Sequence, residues 1–181
     1  MQTERLLIRL IKREDLYYYN DLLCSQKIQD DLTPLESLEE VKGFVDSALL
    51  DAENKRRYVF SLFNKEDKMF VGFVELKVSS DDIGELKCVV CPNFWNKGLG
   101  SEAMTKIDQF AIEKLQLPKM EGVCSLFNSS CTSLFKNVLK YDYIKTDSVD
   151  GKDYVFFEKQ GHPKNIDYRG KLKTDLKDAK K

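Results

Sequence analysis

"FWNKGLGSEA", residues 94–103, decides how this chain is read. Two glycines, Gly98 and Gly100, stand one residue apart, with Lys97 before them and Ser101-Glu102 after. A small-residue turn that opens a helix suits phosphate, because unbonded backbone N–H groups and the positive end of the helix dipole face the anion. Met104, Ile107, Phe110, Ala111 and Leu115 recur at helical spacing after the turn, and Pro118 ends the pattern. A helix of about four turns is therefore expected there.

What surrounds this turn argues against a Rossmann dinucleotide site, which stays as a minor alternative, and rules out a Walker A loop. Gly98-Leu99-Gly100-Ser101-Glu102-Ala103 formally fits G-x-G-x-x-A, with Glu121 a plausible ribose partner downstream. A Rossmann turn, however, follows directly on the first strand of a parallel unit. Here Pro92 to Lys97 intervene, and the residues before them read as antiparallel strands. Tyr58–Phe63, Met69–Val78 and Glu85–Cys91 form a meander, with Asn64-Lys65-Glu66-Asp67-Lys68 as the first connection and Asp81-Asp82 near the second. A Walker A loop fails because no lysine follows the second glycine.

Leu6–Ile11 reads as an opening strand. Arg13-Glu14-Asp15 starts a helical segment carried by Leu16, Tyr19 and Leu22-Leu23. Thr33-Pro34-Leu35-Glu36 has the form of a capping box, leading to a helix with Val41, Phe44, Val45 and Leu49 inward. Beyond Pro118, Met120–Leu126 is expected as a strand and Asn128 to about Lys140 as a helical segment. Tyr141–Ile144 and Tyr154–Phe157 form a hairpin around Asp150-Gly151. The lysine-rich stretch from His162 is expected to be a solvated tail. A short helix through Tyr168, Leu172 and Leu176 is the alternative. The division is one domain over 1–160 and a basic tail over 161–181.

Bulk properties narrow the function. The chain has 181 residues and a formal net charge of −1, which gives no global reason for nucleic acid or an anionic membrane as partner. No run approaches the roughly 18 apolar residues of a membrane helix, and the start MQTERLLIRL lacks a signal-peptide core, so a cytoplasmic location is expected. Five cysteines, Cys24, Cys88, Cys91, Cys124 and Cys131, are odd in number and dispersed, which suits reduced, buried thiols. Cys88-Val-Val-Cys91 lies in a strand-like run, where residues three apart face opposite sides, so neither a redox pair nor a metal site is expected.

With its flanks, Glu85 to Ala103 closely resembles the acetyl-CoA-binding motif of the GNAT acetyltransferases, most of all the RimJ/RimL-type group. Thr3-Glu4-Arg5-Leu6-Leu7-Ile8-Arg9, with Asp15, is similar to that group's first strand. The resemblance covers roughly residues 3 to 158. It implies an α/β (α+β) GNAT fold: a mixed, mostly antiparallel sheet with a splayed strand pair and flanking helices. It also implies acetyl-CoA as co-substrate without metal, and an amine acceptor, with the protein a monomer or homodimer. Backbone amides of Asn96, Lys97, Gly98, Leu99, Gly100 and Ser101 would cradle the pyrophosphate. Val89, Val90 and Cys91 would bind the pantetheine arm by strand addition, with the Val89 N–H polarising the thioester carbonyl. Asn128 matches an asparagine that contacts the same arm, and as a residue it also reads as a helix N-cap.

Amine acetylation needs a neutral amine and, ideally, a proton for the departing thiolate. Glu85 matches the position of a general base, against the alternative of an edge carboxylate paired with Lys87. The family's tyrosine acid falls on Phe135, which has no proton to give, so Tyr141 and Tyr143 are the substitutes. In the family's fold the acceptor enters near the first two helices, where Asp30, Asp31, Glu36, Glu39 and Glu40 would make an acidic mouth suited to a protein N-terminus or a small cationic amine; the alternative is a capping role for Glu36 and a solvated helix face for the others. A non-catalytic coenzyme-binding module on the same fold is the alternative function.

Overall fold

The computed structural model describes residues 1–25 and 35–161. The chain runs through β1 (Leu6–Leu10), a 3-10 turn (Arg13–Asp15) entering α1 (Leu16–Leu23), then α2 (Leu38–Glu53). The meander follows as β2 (Arg57–Asn64), β3 (Phe70–Val78) and β4 (Ile83–Val90). After it come α3 (Leu99–Glu113), β5 (Lys119–Ser125) and the short α4 (Ser129–Ser133). The last elements are β6 (Asp142–Val149) and β7 (Lys152–Gln160). Between α4 and β6 the backbone widens into a π-type turn at Leu134–Val138.

These strands form one seven-stranded sheet in the order β1-β2-β3-β4-β5-β7-β6. Every pairing is antiparallel except β4 with β5. Alternation along the strands sends side chains to two separate cores. Leu6, Leu62, Val74, Met104, Ile107 and Met120 pack on the α3 side, whereas Tyr19, Val41, Val45, Val59 and Phe73 pack under α1 and α2.

The parallel pair breaks open early. β4 and β5 are in register only at Ile83↔Lys119, Gly84↔Met120 and Glu85↔Glu121. Past that point β4 stays on β3 up to Val90, and β5 stays on β7 up to Ser125. A V therefore opens between the two strands beyond Glu85. Because they run parallel, the loops that leave them emerge at the same open end. Gly122 anchors the β5 arm: a Cβ there would lie 2.2 Å from the Phe135 ring, so only glycine lets Phe135 seat on the strand.

Two sequence expectations are corrected here. Helix α2 does not begin at a Thr33 cap; Thr33 and Pro34 lie outside the described residues. Its N-cap is Ser37, whose side chain accepts the Glu40 N–H at 3.2 Å, while the Glu40 carboxylate accepts the Glu36 N–H at 2.8 Å. Ser37-Leu38-Glu39-Glu40 repeats the serine-x-x-glutamate pattern one turn later and wins, because it directly precedes the apolar stripe. The cysteines are also not all free thiols. Cys124 of β5 and Cys131 of α4 form a disulfide, leaving Cys24, Cys88 and Cys91 free. The seven-residue separation across a strand end and a helix turn brings them together, which dispersal in sequence concealed.

That bond closes a short loop, worth about 2 kcal/mol in the chain-entropy picture. Dithiothreitol should accordingly lower the melting temperature of the oxidised protein, and Cys124→Ala/Cys131→Ala should remove the response. An unchanged melting curve under reduction would mean that the pair contributes nothing to stability. Burial pushes the other two strand thiols up, to about 12 at Cys88 and about 11 at Cys91, where Asp21 adds to it. Both are protonated and unreactive near neutral pH.

Candidate active site

The turn that opens α3 has the backbone shape that suits an anion. Asn96 and Gly98 have positive φ, 59° and 73°, which folds the loop into a concavity before the helix starts. Gly98 is the N-cap and sits in the left-handed region that a side chain disfavours. The first hydrogen bond of the helix runs from the Glu102 N–H to the Gly98 carbonyl, so the amides of Leu99, Gly100 and Ser101 have no acceptor within the helix. Leu99 itself is buried in the core, which leaves only its backbone to a ligand. Gly100 keeps α3 close to β4: a Cβ there would lie 3.3 Å from Val90 Cγ2 and 3.6 Å from Cys88 Sγ. The Lys97 ammonium lies over the Phe94 ring, 5.2 Å from its centroid, at the rim of the turn.

Hydrogen-bond parity decides which amides of β4 face the V. Cys91 N–H donates to Val71 O at 2.8 Å, and Ser79 N–H donates to Ile83 O at 2.9 Å. Both pairs belong to the single register that joins Gly72↔Val90 through Val78↔Gly84. Odd-numbered residues of β4 therefore bond to β3, and even-numbered residues turn their N–H and C=O toward β5. This corrects the expectation for Val89, whose N–H is directed to β3, and for Cys91, whose N–H is taken by Val71. Cys88 and Val90 are the residues whose backbone faces the open V. The indole of Trp95 folds back and donates to the Val90 carbonyl at 2.6 Å, closing the end of the strand.

Asn128 follows β5 at the open end of the V. Its side chain caps α4, accepting the Cys131 N–H at 3.0 Å, as the N-cap reading expected. On the opposite face of the sheet, Glu85 is exposed at the apex of the V, beside Lys77 across the β3 register and Glu121 across the β5 register. It lines a cleft of about 560 Å³ with Asp51, Arg57, Lys77, Asp81 and Glu121. The cleft is mixed in charge. Arg57 is held by Asp51 and Glu75 at 3.5 and 3.6 Å, and Lys119 holds Glu121 at 2.8 Å. Glu85 and Cys88 are three positions apart, roughly 10 Å along a strand, so a proton would cross that gap through water.

The structure removes both tyrosines from the chemistry. Tyr141 is buried and donates to Asp108 Oδ1 at 2.7 Å, while Lys159 holds the other carboxylate oxygen at 2.7 Å. Burial, reinforced by the neighbouring Asp108 charge, raises the Tyr141 phenol far above its ordinary value. Such a group gives no proton to a thiolate. Tyr143 is exposed on the outer edge strand, hydrogen-bonded with Thr146, and two strands from the V. Phe135 is likewise core, stacked on Phe157 and edge-on to Tyr141. Tyr141→Phe should therefore cost about 1–2 kcal/mol of stability through the lost bond to a buried carboxylate, and leave kcat within about twofold. A large fall in kcat in a folded Tyr141→Phe protein would restore it to the mechanism.

The acidic mouth is also redistributed. Asp30 and Asp31 lie outside the described residues, as do His162, Tyr168, Leu172 and Leu176. Glu39 and Glu40 occupy the first turn of α2, where carboxylates complement the helix dipole. Among the described residues, no group of three or more His, Cys, Asp or Glu could hold a metal ion, and no helix is long and apolar enough to cross a membrane.

One feature of the site had no local signal in the sequence. Glu102 accepts from the Arg5 backbone N–H at 2.9 Å, from Arg5 Nε at 2.6 Å and from the Thr3 hydroxyl, and Arg5 Nη1 donates to Lys97 O at 2.8 Å. Burial alone would raise the Glu102 carboxyl, but these bonds outweigh it and hold the group below its ordinary value. The segment that leads into β1 thus grips the turn that opens α3.

Comparison with known proteins agrees with this fold. A protein-family profile described as an acetyltransferase (GNAT) domain matches residues 5–138. A comparison with curated protein sequences finds no match. Among solved structures, a candidate ribosomal-protein-serine acetyltransferase from Vibrio cholerae superposes with a TM-score of 0.72 at 22% identity, over 88% of this chain and 95% of that one. RimL, a ribosomal L7/L12 alpha-N-protein acetyltransferase in complex with coenzyme A, gives 0.76 at 11% identity, over 87% and 95%. Spermidine N-acetyltransferase from Vibrio cholerae, in complex with CoA and spermine, gives 0.75 at 16% identity, over 88% and 97%. At these identities the structures testify to the fold.

Proposed function

Because this chain belongs to the GNAT acetyltransferase family and uses acetyl-CoA as its acetyl donor, we propose that its acceptor is the primary amine of a protein N-terminus or of a small cationic molecule. The observation that carries the reading is the shared opening of the β4–β5 V and the α3 turn. One end offers the unbonded amides of Leu99, Gly100 and Ser101 to a diphosphate. The other offers the Cys88 backbone and the Val90 N–H to an extended amide-bearing arm, the Val90 carbonyl being held by Trp95. The residues present fit coenzyme A: glycines where its phosphates approach closely, and strand edges where pantetheine bonds like an added strand.

In this reading Glu85 receives the amine proton through water, and the Cys88 amide, in place of Val89, meets the thioester oxygen. Asn96, Lys97 and Gly98 complete the phosphate turn, and Asn128 flanks the arm from the β5 side. The thiolate leaves without a side-chain acid. This is tolerable chemically because a thiolate, whose thiol has an ordinary pKa of about 8.5, departs from the tetrahedral intermediate far more readily than the amide anion that is its only competitor. Both acceptor classes in the proposal have relatives by structure, in a ribosomal-protein acetyltransferase and a spermidine acetyltransferase.

The test is a panel of polyamines, aminoglycosides and peptides with free N-termini, incubated with acetyl-CoA and followed by release of free thiol. Turnover on a peptide amine or a polyamine supports the acceptor class. Turnover confined to alcohols or to uncharged arylamines would overturn it.

A further inference from the structure

Thr3 and Arg5 meet Glu102 from 99 and 97 residues away along the chain, and the contact is placed on the turn that faces the coenzyme. Arg5 is roughly half exposed, so this is not a core ion pair kept for stability alone. It has two distinct roles. The Nε and backbone N–H fix Glu102, and Nη1 holds the carbonyl of Lys97. The remaining guanidinium nitrogen lies 3.6 Å from where a Gly98 Cβ would stand.

The Lys97 contact has a geometric consequence. In a trans peptide the carbonyl and the following N–H point in opposite directions. By holding Lys97 O toward itself, Arg5 turns the Gly98 N–H to the other side of the loop. Glu102 poses a second difficulty. A carboxylate in the first turn of α3 favours the helix dipole but would repel a diphosphate at the same helix end. Arg5 cancels that charge in place.

We propose that Arg5 is a positioning residue for the coenzyme, aiming the Gly98 amide at the pyrophosphate and masking Glu102 from it. The inference rests on the acetyl-CoA reading of the α3 turn. A lysine cannot substitute fully, since its single nitrogen cannot serve Glu102 and the Lys97 carbonyl in the same fork geometry.

The experiment compares wild type, Arg5→Ala and Arg5→Lys. Coenzyme A affinity is read by calorimetry, and turnover is read with two donors: acetyl-CoA, and the truncated thioester S-acetyl-N-acetylcysteamine, which has no pyrophosphate. Arg5→Ala should weaken coenzyme A binding by about tenfold and raise KM for acetyl-CoA similarly, with kcat at saturation unchanged. Its kcat/KM for the truncated donor should equal that of wild type, a result that general loss of structure would not give. Arg5→Lys should lie between the two, and it provides the readout should Arg5→Ala fail to fold. Wild-type affinity in a folded Arg5→Ala, or in Arg5→Lys if the alanine variant does not fold, would overturn the inference. So would an equal loss on both donors. Failure of the wild type itself to bind coenzyme A would instead sink the reading on which the inference stands.

Discussion

Replacing Glu85 by glutamine is expected to lower kcat by roughly 10²–10³-fold while leaving acetyl-CoA affinity within about twofold. The side chain keeps its shape and loses its proton acceptor. Glu85 stands at the apex of the V on the face opposite α3, away from the turn that would take the pyrophosphate, so its removal should not touch coenzyme binding. The defect should shrink as pH rises toward the pKa of the acceptor amine, because free amine then arrives without needing a base. A pH–rate profile of wild type and Glu85→Gln reads this directly. Parallel profiles at equal height would mean that desolvation or another group deprotonates the amine.

Gly98→Val is expected to raise the acetyl-CoA dissociation constant at least about tenfold, or 1.4 kcal/mol. The reason is conformational. A Cβ at Gly98 would meet only an arginine nitrogen at 3.6 Å, so there is room for it. At φ of 73°, however, a β-branched residue is an outlier, and the loop would relax away from the anion-binding shape. Gly98→Asn supplies the control, because asparagine tolerates the left-handed region and should keep most of the affinity. Equal losses in both variants would point to steric exclusion of the ligand, and no loss in either would remove the turn from the site.

The readable and unreadable parts of this chain divide by the range of the interaction. Strand and helix periodicity, the glycine turn and the terminal hairpin are local, and each stands where its pattern placed it. Local patterns mislead where two signals compete. Thr33 and Ser37 both precede an acidic residue at the right spacing, and the serine nearest the apolar stripe is the cap. The β4 amides needed one fact that composition lacks, namely which parity bonds to β3. The Ser79–Ile83 and Cys91–Val71 bonds supply it and move the exposed backbone from Val89 to Cys88 and Val90. The Tyr141 hydroxyl is legible in the sequence, yet its role depends on Asp108 and Lys159, residues of two other elements that bind it. The Arg5–Glu102 grip and the Cys124–Cys131 bond are tertiary events of the same kind.

Titration of the protein with acetyl-CoA in the presence of a saturating primary amine, following free thiol and acetylated amine together, tests the central claim most directly. The account predicts equal amounts of both products over many turnovers, with the rate saturating in acetyl-CoA and dependent on the amine. Thiol released at the same rate with and without amine, and no acetylated product, would contradict it.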